Sequence, residues 1–296
     1  MLKGHELNHP GGRHVVWDAA RPGSLASGPA ALPKVDVLSL SPPCQGFSRR
    51  DVHDARRRLA PASLKRVKEM PRERRPSVIL IENVAGFRGS REYHRMRRLS
   101  TEMFYSWTEG ELSADWMSAP MKKARVFVVL CKDGWSTDFA TRCDSLKEAA
   151  HRDGGARLDG LGWTREHTYW WQPHPRDTQE TCAVSVPAGP ARCLRSFNVL
   201  FPDVGAYVPR AGDEAKLRAD CGLEKQDWLT LSGVPYSAHM PEDPILFAIT
   251  VANLVVPDAA EVVFSSLIPP GEAGRAAAPM KHGAGVAPIA ATPTTA

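Results

Sequence analysis

Three short apolar runs stand out along the chain: VDVLSL (35–40), SVILIE (77–82) and RVFVVL (125–130). Each is rich in Val, Ile and Leu and ends in turn or charged residues, the pattern of a strand buried on both faces of a parallel sheet. Between the second and third, EYHRMRRLSTEMF sets Tyr93, Met96, Leu99 and Met103 at helical spacing, opposite a basic face. This strand–helix–strand rhythm predicts a doubly wound α/β domain over residues 1–140. Past residue 140 the periodicity dissolves. Residues 141–225 are rich in Pro, Gly, Arg and Trp and read as a separate, irregular lobe of loops and short strands. Helical character returns within 226–268, in DPILFAITVANLVVPDAAEVVFSSLI, where Pro257 and Asp258 suit a first turn. From 269 to 296 the chain is Ala, Gly, Pro and Thr with few large apolar residues, and disorder is expected there.

Composition changes this picture little. Hydrophobic residues make up 43% and charged residues 24% of 296 positions, enough for one sizeable core and a smaller lobe. No run approaches the roughly 18 apolar residues of a membrane span, and no signal-peptide core opens the chain. A cytoplasmic protein with no membrane partner is expected. The six cysteines form no CxxC pair and no ligand spacing with His, so neither a metal site nor a disulfide framework is expected.

Charge is more informative by position than by sum. The net value is +5, yet residues 49–75 alone hold eleven Lys/Arg against four Asp/Glu. A solvated basic face would explain that. So would a phosphate backbone, if a site lies nearby.

Candidate chemistry sits at the ends of the apolar runs, where open α/β sheets place their sites. SPPCQGFS (41–48) follows the first run, with Cys44 in a turn stiffened by two prolines and bent at Gly46. A cysteine is more often a small core hydrophobe, but the rigid polar setting of Pro-Pro-Cys-Gln-Gly argues otherwise. Glu82-Asn83-Val84 ends the second run, where a carboxylate after four apolar residues needs a partner. Lys122, Lys123 and Arg125 lead into the third run, a pattern that also fits an ordinary basic strand flank.

Taken together, these residues resemble the DNA (cytosine-5) methyltransferase family. SPPCQGFS is similar to its nucleophile motif and IENV to its catalytic glutamate motif, in the expected order. MKKARVF resembles its Gln-x-Arg-x-Arg motif, with Met121 and Lys123 departing and Arg125 retained. ITVANLVVPD, with Asn253, is similar to a segment near the family's C-terminus, Ala252 and Val256 departing; SGVP (232–235) is a divergent form of the one upstream.

The resemblance implies a Rossmann-like class I methyltransferase sheet with a smaller target-recognition lobe. It implies S-adenosyl-L-methionine as cofactor and double-stranded DNA as partner. Cys44 would be the nucleophile, with Glu82, Arg125, Asn83 and Gln45 completing the catalytic group. Asp18, Pro42 and Asn253 would border the cofactor, and Ser48, Arg49, Arg50, Arg56 and Lys123 would contact DNA. The lobe's TYWWQPHPRDT segment (168–178) carries side chains suited to groove contacts, though Trp170 and Trp171 would serve equally as its core. One expected feature is missing: no strand followed by a Phe-x-Gly-x-Gly loop precedes Asp18. The sheet is therefore expected to lack its first strand, which leaves open a second chain supplying that unit, an inactive DNA-binding remnant, or a sequence that begins further upstream.

Overall fold

In the computed structural model, described residues are 8, 10–12, 33–44, 47, 57–155, 168–171, 182–185, 191–192, 229–234, 238–240, 242, 247, 250–251 and 254–272. Only the backbone is described for 168–171, 182–185 and 191–192. In chain order the elements are β1 (Val37–Leu40), α1 (Leu59–Lys68), β2 (Val78–Asn83), α2 (Arg91–Glu102), β3 (Ser106–Ser113), β4 (Met121–Lys122), β5 (Ala124–Cys131) and β6 (Ser136–Thr137). They continue with α3 (Phe139–Asp153), β7 (Thr168–Trp171), β8 (Cys182–Ser185), β9 (Ala191–Arg192), α4 (Pro257–Ser265) and β10 (Leu267–Ile268).

Four strands form the main sheet in the order β1-β2-β5-β3. β1 and β2 pair in parallel, as the two apolar runs predict. β5 departs from expectation: it runs antiparallel to both β2 and β3. An unbroken apolar run reports burial on two faces and carries no information about direction.

Alternation along the two central strands divides the core. Ile79 and Ile81 of β2 and Val128 and Leu130 of β5 pack with α1 and α2, around Leu64, Val67, Tyr93 and Met96. Val78 and Leu80, with Phe127, Val129 and Cys131, pack with α3 and α4, around Phe139, Cys143, Val262 and Val263. The result is a three-layer α/β/α arrangement. α2 follows its predicted stripe, with Tyr93 and Met96 buried and Leu99 partly buried; Ser90 caps it by accepting a hydrogen bond from the Tyr93 amide at 3.1 Å. α4 begins with Pro257 in its first turn, and its Asp258 carboxylate accepts from the Ser118 amide at 3.2 Å.

Two elements were not anticipated. β3, SWTEGELS, carries Glu109 and Glu111 toward the α2 layer, where Tyr93, Trp107 and Arg88 engage Glu109 and Arg88 reaches Glu111 at 3.4 Å. α3 occupies 139–153, where no period was evident. Its buried residues are Phe139 and Cys143, a contact too narrow to leave a pattern. It ends in the left-handed Gly154. Its close approach depends on Gly110 of β3: a Cβ there would stand 2.4 Å from the Cys143 sulfur and 2.9 Å from the Phe139 ring.

Gly110→Ala is therefore expected to lower stability by about 1–3 kcal/mol through overpacking. Urea denaturation of both forms checks this; an unchanged midpoint would mean that α3 shifts at no cost.

Candidate active site

The site is built at the carboxyl ends of β1 and β2. Glu82 of β2 lies in register with Phe127 of β5, so Arg125 is its diagonal neighbour on the same sheet face. Long side chains span that distance. Arg125 Nε meets Glu82 Oε1 at 3.0 Å, and both side chains are only 15% exposed. A lone buried charge is costly, and pairing with further hydrogen bonds is what makes such burial tolerable. The Ser41 hydroxyl supplies one of these to Glu82. Burial nevertheless raises the Glu82 carboxyl above its ordinary value, against the opposing pull of Arg125 and Lys123.

Asn83, the next residue, points to the other face and is buried. Its Nδ2 donates to the Pro42 carbonyl at 3.2 Å, while its Oδ1 accepts from the Val84 amide at 2.9 Å. One strand end thus presents the acid to the crevice and ties down the loop that carries the cysteine.

Cys44 is half-buried, and its carbonyl accepts from the Phe47 amide at 2.9 Å, closing a tight turn. Phe47 is buried edge-on against Phe87 at 5.1 Å, and Phe87 against Tyr93 at 5.5 Å. Beneath this turn lies Gly86, where a Cβ would stand 2.2 Å from the Phe47 carbonyl oxygen. Burial raises the Cys44 thiol, while Arg125 lowers it, Glu82 raises it, and its own backbone and Lys123 lower it. The other two described cysteines differ. Burial pushes Cys131 up to about 11 and Cys143 up to about 12, with no comparable pair of cations in either case. They behave as core hydrophobes, whereas Cys44 sits in the field of charged side chains.

The structure therefore brings Cys44, Glu82, Asn83 and Arg125 together. Lys123 needs reassignment. Expected on the DNA-facing surface, it is 3% exposed and its ammonium donates to the Val251 carbonyl at 3.3 Å, so its charge acts inside the site. Pro42 is buried, with its carbonyl engaged by Asn83. Gln45, Ser48, Arg49, Arg50, Arg56, Asp18 and Asn253 lie outside the described residues. Two supports were missed. Ser41 was hidden as one more polar turn residue, and Gly86 as one of 23 glycines. β9 pairs in parallel with β4, next to Lys123. β7 and β8 form a separate antiparallel pair. In SGVP, Gly233 adopts φ +65° and packs against Ala119 and Val256.

Comparison with solved structures shows that this fold is similar to that of two methyltransferases. Dnmt2 methyltransferase from S. pombe superposes with a TM-score of 0.54 at 18% identity, over 88% of this chain and 85% of that one. A structure described as a DNA modification methyltransferase encoded within an E. coli prophage gives 0.50 at 17% identity, over 88% and 87%. Identities this low establish the fold alone. The sequence adds a second likeness: residues 22–149 match the family model for C-5 cytosine-specific DNA methylase. A search of curated proteins finds no match.

Two outcomes are expected at the site. Glu82→Gln should shift the pH midpoint of Cys44 alkylation by iodoacetamide downward and Arg125→Gln should shift it upward, read by peptide mass spectrometry; unchanged midpoints would mean that the pair does not act on the thiol. Gly86→Ala should force the Phe47 turn outward and change the rate of Cys44 alkylation by iodoacetamide, with less than about 3 kcal/mol lost in stability, measured by denaturation alongside the alkylation assay.

Proposed function

We propose that this chain transfers a methyl group from S-adenosyl-L-methionine to C5 of cytosine in DNA, through a covalent adduct at Cys44. The observation that carries this reading is a half-buried cysteine within the field of a buried Glu82–Arg125 pair, at the ends of adjacent strands. Cytosine C5 is too weak a nucleophile to take a methyl group unaided. Addition of the Cys44 thiolate at C6 makes C5 enamine-like and able to attack; loss of the C5 proton and release of the thiolate then restore the ring.

Each neighbour has a part in this chemistry. Glu82, with its carboxyl raised by burial, can hold a proton against N3 and accept from the N4 amine as charge develops. Arg125 would hold the O2 side of the ring, and its charge lowers the cost of the thiolate. Lys123 adds positive potential from within, and Asn83 fixes the loop. The base must leave its stack to reach this crevice, at a cost of a few kcal/mol. The cations of residues 49–75 would offset that cost through the phosphate backbone.

S-adenosylmethionine supplies the methyl group when bound. Of the residues expected to border it, Pro42 is buried and its carbonyl accepts from Asn83. The match of residues 22–149 to the C-5 cytosine-specific DNA methylase family model supports it as the methyl donor.

Calorimetric titration with S-adenosylmethionine, followed by duplex DNA containing 5-fluorocytosine, tests the proposal. Saturable cofactor binding and a covalent adduct lost in Cys44→Ser are expected. DNA binding with neither cofactor binding nor adduct would overturn it in favour of a binding role.

A further inference from the structure

The two helical layers covering the sheet carry very different charge. From residue 57 to 75 and along α2, twelve Lys/Arg face four Asp/Glu, whereas α3 and α4 carry three Lys/Arg and five Asp/Glu. Both layers bury an apolar face and both need solvation, so solvation does not explain why only one is so strongly of one sign.

α2 is the sharpest part. Its exposed side chains include Arg91, His94, Arg95, Arg97 and Arg98. None of the four arginines makes an ion pair within 4.0 Å among the described residues. Glu102, four residues after Arg98, is held at 2.6 Å by Lys68 of α1 and also lies in the field of Arg98. The arrangement works against the helix itself. Arg91 and Arg95 stand four residues apart and Arg95 and Arg98 three, spacings at which like charges repel. Arg91 also occupies the first turn, where the helix dipole disfavours a cation. Repulsion of this kind is relieved when a polyanion neutralises the face.

We infer that the outer face of α2 is a second nucleic-acid surface, holding the phosphate backbone of duplex DNA along the flank of the α/β domain, away from the target base. Arg91, Arg95 and Arg98 form one stripe about 10 Å long, enough to engage roughly three phosphates. Arg58 and Lys65, beside and within α1, extend the same layer. A duplex fits better than a single strand. The helix's exposed face carries no aromatic side chain but His94, so it offers little platform for stacking unpaired bases. α2 begins eight residues after Asn83, so the stripe starts near the site and runs from it down the side of the domain.

The inference rests on the DNA-binding part of the proposed function and not on methyl transfer. An A·T-only duplex separates the two, because it contains no cytosine. With the full chain, its affinity is expected to fall with salt, and the combined variant Arg91→Ala/Arg95→Ala/Arg98→Ala should reduce the log–log salt slope by roughly 2–3 and weaken binding about tenfold or more at 100 mM salt. The corresponding triple Lys variant should keep the slope, and Lys147→Ala/Arg152→Ala on α3 should leave it unchanged. Phenylglyoxal footprinting of the unmodified protein gives a second reading that needs no variant: the duplex should protect Arg91, Arg95 and Arg98. Unchanged slope in the Ala variant, equal loss in the α3 variant, no binding of the A·T duplex, or no protection would each overturn the inference. Arginine-dependent binding without an adduct on 5-fluorocytosine DNA would overturn the methyl-transfer reading alone.

Discussion

The pairing of β2 with β5 is the constraint on which the site depends. It fixes Glu82 opposite Phe127 and so makes Arg125 the diagonal neighbour that can reach the carboxylate. It is also the seam of the core, because the same register sends Ile79 and Ile81 to one helical layer and Val78 and Leu80 to the other. A misplaced pairing would therefore not only part the ion pair. It would turn apolar side chains out of both layers together, and so the energy of the core holds the charged pair in place.

Around this seam, charge is handled differently inside and outside. Within the crevice each charged group has a partner: Glu82 has Arg125 and Ser41, and Lys123 has the Val251 carbonyl. Such pairing makes burial tolerable without making it strongly favourable. On the surface of α2 the four arginines make no ion pair within 4.0 Å among the described residues. The crevice is organised for chemistry on a group that enters it, and the outer face for contact with something that remains in solvent.

The sequence made some of this legible, for physical reasons. β2 and β5 are buried on both faces and the edge strand β1 in part, and such strands leave continuous apolar runs. Glu82, Asn83 and Arg125 could be read because each is polar at the end of an apolar run, and Cys44 because it stands in a rigid polar turn. β3 could not be read, since Glu109 and Glu111 interrupt its pattern and are satisfied only by Arg88, Tyr93 and Trp107 in three dimensions. α3 was invisible because its hold on the sheet comes from Gly110 leaving room rather than from a wide apolar stripe. The burial of Lys123 was likewise beyond reach. A lysine beside a strand looks the same whether its ammonium meets water or a distant carbonyl.

The end of β2 carries one last implication. Glu82 and Asn83 are adjacent in sequence yet serve opposite faces, the acid toward the crevice and the amide toward the cysteine loop. Strand geometry makes this division of labour a matter of parity. Inserting or deleting one residue upstream within the strand would exchange the two, setting a carboxylate against the Pro42 carbonyl and an amide before Arg125. Length variation in this strand is thus confined to changes that preserve parity.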